Sequence, residues 1–288
     1  MSRAVQGQAV VAIVAAGSMG AAVGSRLAAR GATVLTSLDA RSAATRERAR
    51  AAGMSAVTDE ELVRADVLLS IVPPAQALAL AQRFATRIAS SQAKPLYVDC
   101  NAVSPATVQQ VGECIAGAGA AFVDAGIIGP PPRDSAVGPN FYASGADAGR
   151  FKSLARFGLQ IRVLEAPIGA ASALKMSYAG ITKGLIAVGS AMLLAATRAG
   201  VADALRAELE ESQANLIASL GRSVPGMFPK AYRWVGEMQE IAAFAGEDAA
   251  AAQIYRGASE LYARLARDLE GEGMETEQLA SFLSATSA

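Results

Sequence analysis

The 288-residue sequence contains no histidine. This absence excludes Ser-His-Asp and Cys-His triads, histidine-ligated zinc and an imidazole acid or base. Lysine is scarce, since only five of the 26 basic residues are lysines: Lys94, Lys152, Lys175, Lys183 and Lys230. Any proton transfer to a substrate must therefore use one of these lysines, a tyrosine, a carboxyl group or water.

Cysteine is equally scarce, and charge of neither sign is in excess. Cys100 and Cys114 are too few for a disulfide framework or a metal-binding cluster, so we expect reduced thiols in a cytoplasmic protein without a metal. The 26 basic residues balance 26 acidic ones. Because no basic surface is indicated, nucleic acid and anionic membranes are not expected partners. A small polar molecule is the ligand class that remains.

Two apolar stretches imitate export or membrane signals. Residues 1–20 place Arg3 before an apolar run, but this run fits a buried first strand that enters a glycine turn and a helix, so we do not expect export. The fourteen uncharged residues at 184–197 are too few for the ~20 residues of a membrane span. We predict a buried helix there.

The first half of the chain alternates short apolar runs with helical patterns. The apolar runs lie at 9–14, 33–36, 67–72, 96–99, 121–128, 141–144 and 161–164. The helical patterns between them lie at 19–30, 42–52, 75–89, 105–115 and 146–157. Such alternation is typical of a mostly parallel sheet with helices on both faces.

After Glu165 strand patterns stop and long helical patterns follow, with breaks expected at 221–229 and 271–273. We therefore predict an α/β Rossmann-type, doubly wound domain at 1–166. It is followed at 167–288 by an all-α C-terminal domain for substrate and dimerisation. The amount of apolar surface in these helices predicts a homodimer.

A degenerate dinucleotide motif follows the first predicted strand. In G-x-G-x-x-G turns the glycines allow a tight turn, close approach of the pyrophosphate and packing of helix on strand. Here Ala15 replaces the first glycine, but the strand–turn–helix context is correct. We predict that Gly17, Ser18, Met19 and Gly20 bind a dinucleotide.

The end of the second strand bears on the choice between NADP and NAD. An acidic residue there binds the ribose diol of NAD, whereas Arg and Ser receive the 2′-phosphate of NADP. Ser37, Arg41 and Ser42 favour NADP. Asp39 lies one position after the usual acidic position, so NAD remains an alternative. The other interpretation is a plain helix N-cap with solvated charges.

Three further positions lie at ends of predicted parallel strands, where open α/β sheets bind ligands. Val72 and Pro73 are expected to contact the cofactor. Asn101 is expected to bind the cofactor or the substrate, and the alternative is a role in the turn alone. Gly129 leaves room for a substrate or only permits a tight strand exit.

Lys175 lies among small and apolar residues, where desolvation would lower the pKa of its ammonium from ~10.4. With no histidine available, it is the candidate general acid/base. The alternative is a lysine that snorkels at a domain edge. Lys230 and Arg233, beside Trp234, are candidates for clamping a substrate carboxylate. The alternative there is a surface ion pair of Arg233 with Glu237 and a tryptophan in the core.

Together these motifs resemble the β-hydroxyacid dehydrogenase superfamily, relatives of 6-phosphogluconate and 3-hydroxyisobutyrate dehydrogenases, over nearly the whole chain. The segments SALKMSYAG at 172–180 and YRWVGEM at 232–238 resemble a branch with a C-terminal helical domain of unknown function. The resemblance implies that the glycine turn binds NAD(P) and that Lys175 is the acid/base.

Two departures from the family pattern concern the substrate. Ile128-Gly129-Pro130 replaces a Ser-Gly-Gly substrate loop, and Ala179 replaces an Asn one turn after the lysine. Tyr178, Thr182 and Lys183 are the candidate substitutes. We expect an NADP-preferring oxidoreductase that acts on a hydroxy acid. An imine or iminium reductase and a non-catalytic NADP-sensing protein are the alternatives.

Overall fold

The computed structural model describes residues 9–132 and 138–284. Contacts divide the chain into two units, Met1–Lys175 and Met176–Ala288. This division lies within one long helix rather than at the predicted boundary of 166/167, because the first turns of that helix contact the sheet of the first unit.

The first unit is built on one sheet. Its strands in the described residues are β1 (Val10–Val14), β2 (Thr33–Thr36), β3 (Ser55–Ala56), β4 (Val67–Ser70), β5 (Leu96–Asp99), β6 (Phe122–Ile128), β7 (Asn140–Ser144) and β8 (Gln160–Val163). Their order is β3-β2-β1-β4-β5-β6-β7-β8, and every neighbouring pair is parallel except β6 and β7. The predicted doubly wound, Rossmann-type sheet is confirmed.

The connecting helices are α1 (Ser18–Ala29), α2 (Ala43–Ala51), α3 (Asp59–Leu62), α4 (Ala77–Ser90), α5 (Pro105–Gly117) and α6 (Ala148–Lys152). Short 3₁₀ turns occupy Pro74–Gln76 and Ser153–Phe157, so the single helix predicted at 146–157 is two shorter elements. The sequence patterns did not indicate β3 or α3, which have two and four residues.

The core lies on both faces of the sheet because side chains alternate along each strand. In β1, Val11 and Ile13 pack with residues of α1 and α6. Ala12 and Val14 point to the opposite face and pack with residues of α4 and α5. Both faces of the strand are thus covered, as parallel sheets require.

The long helix α7 (Ala170–Arg198) begins in the first unit and ends in the second. It is followed by α8 (Ala202–Ser212), α9 (Ala214–Met227), a 3₁₀ turn at Phe228–Lys230, α10 (Ala231–Phe244), α11 (Ala249–Glu270) and α12 (Met274–Ser284). The break predicted at 271–273 is confirmed. The predicted break at 221–229 begins too early, because α9 continues through Gly221 and Pro225 and ends at Met227. Val224 and Met227, on the last turns of α9, are buried. Their packing outweighs the weak helix propensity of Gly221 and Pro225.

Helix α7 is long and apolar enough, by length and composition alone, to cross a membrane. The expectation that residues 184–197 form a buried helix holds for only one face of the helix. Ala187 and Leu194 are buried, but Leu185, Val188 and Met192 on another face are exposed. The helix therefore carries an apolar surface that the described chain does not cover.

Candidate active site

The glycine turn joins β1 to α1, and its two glycines have different reasons to be glycine. A β-carbon at Gly20 would lie 2.0 Å from the carbonyl oxygen of Ala15, so any other residue would force the backbone of the turn to shift. At Gly17 a β-carbon would meet nothing within 4 Å. Gly20 therefore permits α1 to pack on the turn, and Gly17 leaves open space beside the backbone.

The start of α1 supplies hydrogen-bond donors to that open space. The N-cap residue Gly17 makes no side-chain cap. The backbone N–H groups of Ser18, Met19 and Gly20 have no acceptor within the helix, as at every helix start. Ser18 is exposed and Met19 is half-buried. N–H groups and the positive end of the helix dipole favour a phosphate here, so the four residues fit the pyrophosphate of a dinucleotide.

At the end of β2, the three residues predicted to favour NADP have unequal positions. Ser37 is buried and Arg41 is half-buried. The hydroxyl of Ser42 accepts a hydrogen bond from the backbone N–H of Thr45 at 3.3 Å and caps α2. The capping interpretation therefore holds for Ser42, whose side chain is nevertheless exposed.

Arg48 is a residue of this region that the sequence patterns missed. Its guanidinium Nη1 donates to the carbonyl oxygen of Ala16 in the glycine turn at 3.1 Å. Arg46 donates from Nε to the carbonyl oxygen of Arg41, also at 3.1 Å. The available signal was an arginine on the helix that directly follows β2. These arginines place cations on the segment after β2 and against the glycine turn, which suits a 2′-phosphate.

Register aligns the last residues of three strands with Asp124, an interior residue of β6. Val14 pairs with Ser70, Ser70 pairs with Asp99, and Asp99 pairs with Asp124. The first three of these residues are the last residues of β1, β4 and β5. The glycine turn and the segments after β4 and β5 thus leave the sheet along one line, the carboxyl edge.

Asn101 uses its side chain to join two of these segments. Its Oδ1 accepts from the backbone N–H of Val72 at 2.7 Å. Its Nδ2 donates to Ser70 Oγ at 2.8 Å and to Asp99 Oδ2 at 2.7 Å. Both amide hydrogens are thereby engaged, so the geometry favours the turn role of Asn101 over donation to a substrate. Pro73 is exposed at the start of the following 3₁₀ turn.

Asp99 is a buried carboxyl group next to this amide. Burial raises the pKa of Asp99 to about 7, and the nearby Asp124 adds to the rise. The hydrogen bonds from the backbone N–H and side chain of Asn101 act in the opposite direction. Burial also raises the pKa of the Cys100 thiol well above its usual range, which does not favour a thiolate nucleophile.

Lys175 lies against β6 beyond this line. A β-carbon at Gly126 would lie 3.0 Å from the Cβ of Lys175 and 2.9 Å from the carbonyl oxygen of Ala171. Gly126 is two residues past Asp124, so it lies past the end of β5, on the carboxyl-edge side. Glycine at 126 therefore gives the stem of the half-buried Lys175 room at the edge where the glycine turn lies. The sequence patterns did not single out Gly126.

Gly129 has a structural reason to be glycine. Its φ of +127° lies in the left-handed region, and a β-carbon would lie 3.0 Å from Cα of Pro139. These observations favour the tight exit of the strand over room for a substrate.

The remaining predicted substrate residues belong to the second unit. Lys183 forms an ion pair with Glu237, and its Nζ lies 4.7 Å from the ring centre of Trp234. Burial lowers the pKa of Lys183, and Glu237 opposes this effect. Glu237 on α10 thus pairs with Lys183 rather than with Arg233. Arg233 and Lys230 are exposed.

Tyr178 and Thr182 lie one turn apart on α7. The hydroxyl of Thr182 donates to the carbonyl oxygen of Tyr178 at 2.9 Å, a bond within the helix. The ring of Tyr178 is about half exposed. Ala179, where the family pattern has Asn, is buried. In the part of the chain that the structure describes, no cluster of three or more Cys, Asp or Glu residues could hold a metal.

Comparison with known proteins finds a family match in each of two segments of the chain. Residues 10–103 match the family described as NADP oxidoreductase coenzyme F420-dependent, and residues 196–265 match a domain of unknown function, DUF1932. An uncharacterised 28.5 kDa protein of Methanothermus fervidus is 33% identical over 214 residues, which are 73% of this chain and 81% of that protein. The chain belongs to the β-hydroxyacid dehydrogenase superfamily. Within the superfamily it lies in the branch with a C-terminal helical domain of unknown function.

Solved structures of the superfamily share the fold. A conserved protein of unknown function with reported similarity to 3-hydroxyacid dehydrogenases is 32% identical, with a TM-score of 0.67 over 90% of this chain and 98% of that one. The 3-hydroxyisobutyrate dehydrogenase of Mycobacterium tuberculosis, studied with L-serine, is 18% identical, with a TM-score of 0.66 over 91% and 95%. An imine reductase of Streptomyces aurantiacus is 15% identical, with a TM-score of 0.56 over 96% and 100%. The fold is that of an NAD(P)-binding oxidoreductase related to hydroxyacid dehydrogenases and imine reductases.

Proposed function

We propose that this protein is an NADP-preferring dehydrogenase of a hydroxy acid, with Lys175 as its general acid/base. The observation that carries the proposal is the position of Lys175. It lies against Gly126 on the carboxyl edge of the same sheet whose glycine turn fits a dinucleotide. In a chain without histidine, this lysine is the basic side chain best placed for proton transfer at that edge.

The chemistry divides between the cofactor and the protein. When bound, the nicotinamide supplies the acceptor or donor of a hydride. During oxidation the uncharged Nζ of Lys175 accepts the hydroxyl proton of the substrate as its C–O bond becomes a carbonyl. During reduction the ammonium of Lys175 returns that proton to the carbonyl oxygen.

Replacing Lys175 by Met tests this assignment. General acid/base catalysis contributes ~10²–10⁴-fold, so K175M should lose turnover by about that factor while its affinity for NADPH is unchanged. The assay uses a panel of 3-hydroxy acids and their oxo forms, including 3-hydroxyisobutyrate and L-serine, beside cyclic imines. The control is K152M, which removes an exposed lysine of α6 in the same unit and should remain fully active.

The outcomes of this panel separate the alternatives. Full activity of K175M on a hydroxy acid would remove Lys175 from the mechanism. Turnover of cyclic imines alone, independent of Lys175, would indicate an imine reductase. Tight NADPH binding without turnover of any compound would indicate a cofactor-sensing protein, since fold alone does not determine function.

The preference for NADP rests on the arginines at the end of β2. Arg48 contacts the glycine turn, and Arg46 contacts the carbonyl oxygen of Arg41 in the segment after β2. Replacing Arg48 by Ala should weaken NADPH binding by about 10–100-fold, the equivalent of one hydrogen bond to a charged group, and NADH binding much less. Fluorescence titration measures both constants. R50A is the control, because Arg50 is exposed on the same helix and paired with Glu47. Equal losses for NADPH and NADH would show that Arg48 only supports the turn.

We further propose a cytoplasmic homodimer with a small-molecule substrate and no nucleic-acid or membrane partner. The thiols of Cys100 and Cys114 are both free, as is typical of cytosolic proteins. The balanced charge favours a small ligand over a polyanion. The exposed Lys230 and Arg233 remain our candidates for binding a substrate carboxylate.

A further inference from the structure

The buried side chain of Asp124 on β6 accepts four hydrogen bonds, three from Gly169 and Ser172 at the start of α7 and one from Ser144 on β7. Its Oδ2 accepts from the backbone N–H groups of Gly169 and Ser172 at 2.9 and 3.1 Å. The same oxygen accepts from Ser144 Oγ at 3.0 Å, and Oδ1 accepts from Ser172 Oγ at 2.7 Å. All four partners donate, which suits a carboxylate because it only accepts.

These contacts cap α7 from outside the helix. The first N–H groups of a helix have no intrahelical acceptor and need other partners. Here the N–H of Ser172 and that of Gly169, just before the helix, reach Asp124. The N–H of Ala171 donates to Ser144 Oγ at 3.1 Å, and that of Ala170 to the carbonyl oxygen of Pro167. A negative charge at this position also interacts favourably with the positive end of the helix dipole.

The cap and the contact with Lys175 lie on one strand. Residues 124 and 126 of β6 point to the same face of the sheet, because side chains alternate. Asp124 holds the first turn of α7, and Gly126 contacts Ala171 and Lys175, which lie one helical turn apart. Both contacts thus fix the position of the start of α7 against β6, the strand that Lys175 contacts.

We propose that Asp124 is a positioning residue for Lys175: by capping α7 it fixes the point from which the lysine reaches the carboxyl edge. This inference rests on the proposed function of Lys175. Asp124 itself touches neither substrate nor cofactor in this proposal. Asp99 provides the contrast, since it is a buried carboxyl group in register with Asp124 whose donors belong to Asn101 rather than to α7.

The test is a double-mutant cycle of Asp124→Asn and Lys175→Met, measured with the best substrate of the panel. Small misplacements of a catalytic group cost up to about 10²-fold, so D124N should lower kcat by about that factor with NADPH affinity unchanged. In the K175M background the same substitution should cause no further loss, because residues that act as a unit are not additive. D99N is the matched control, and its effect should multiply with that of K175M.

A second measurement needs no substrate. Competitive labelling with acetic anhydride reports the reactivity of each lysine by mass spectrometry. D124N should change the labelling of Lys175, while Lys183, eight residues further along the same helix, serves as the internal reference and should not change. S144A and S172A each remove one donor to Asp124 without a change of charge and should shift Lys175 in the same direction by less. They keep the test decisive if D124N does not fold.

The outcomes separate this inference from the proposed function. If K175M is fully active, the proposed function fails and the inference fails with it. If K175M is impaired but the losses of D124N and K175M multiply, Asp124 is only structural and the function of Lys175 stands. Unchanged labelling of Lys175 in D124N, S144A and S172A would overturn the inference independently of activity.

Discussion

Gly17 and Gly20 lie three residues apart in one turn, yet a β-carbon would have opposite consequences at the two positions. At Gly20 it would clash with a backbone carbonyl, whereas at Gly17 it would enter open space. The G20A variant should therefore be less stable by about 1–3 kcal/mol, the usual cost of overpacking. The G17A variant should unfold like the wild type but bind NADPH more weakly, because the methyl group occupies the space of the pyrophosphate.

Urea unfolding and NADPH titration of both variants check this prediction. The two substitutions are chemically identical, so each is the control for the other. Wild-type NADPH affinity in G17A would mean that the pyrophosphate does not approach this turn. Wild-type stability in G20A would mean that the backbone of the turn moves away at little cost.

Some candidate site residues could be proposed from sequence because their patterns are local. Gly17 and Gly20 follow from a strand–turn–helix pattern, and Lys175 stands out in a chain with five lysines and no histidine. Asp124 and Gly126 could not be found in this way. Their roles depend on α7 packing against β6, a contact between segments about fifty residues apart that no local pattern encodes.

At the scale of elements, the buried strands were the easiest to predict. Strands covered on both faces are mostly apolar runs, and the run at 96–99 coincides with β5, all four residues of which are buried. The start of α5 was also signalled locally, since Ser104 accepts from the N–H of Thr107 at 3.2 Å and Pro105 fills the first position.

The elements that were missed or misplaced depend on tertiary contacts. Strand β3 has only two residues, both exposed, and exists because it pairs with β2. The end of α9 was predicted too early because glycine and proline weaken helices in isolation. In the protein, buried side chains on the last turns of α9 offset that weakness. The stripe of exposed apolar residues on α7 was hidden by the overall apolar composition of the segment.

At the scale of the whole molecule, that stripe predicts how the protein associates. Tyr178, Ile181, Leu185, Val188 and Met192 recur at alternating intervals of three and four residues and are 48–65% exposed. This period is that of helices that pack along a seam. Large apolar side chains exposed together along one helix face form a patch that is typical of a protein–protein interface. The charged residue between Tyr178 and Met192 is Lys183, which pairs with Glu237, so two copies of α7 can meet along the stripe without an unpaired like charge.

We therefore expect a homodimer in which the α7 stripes of two copies pack against each other, and a charge within the stripe should separate them. Leu185→Glu would bury two carboxylates opposite apolar side chains, a cost that removes most of the gain from burying the stripe. Sedimentation velocity should find the wild type as a dimer and L185E as a monomer with unchanged helix content by circular dichroism. Val201→Glu is the control, because Val201 is 50% exposed but lies outside the stripe at the start of α8, where an acidic side chain is tolerated. A monomeric wild type, or an L185E variant that remains dimeric, would assign the stripe to another role.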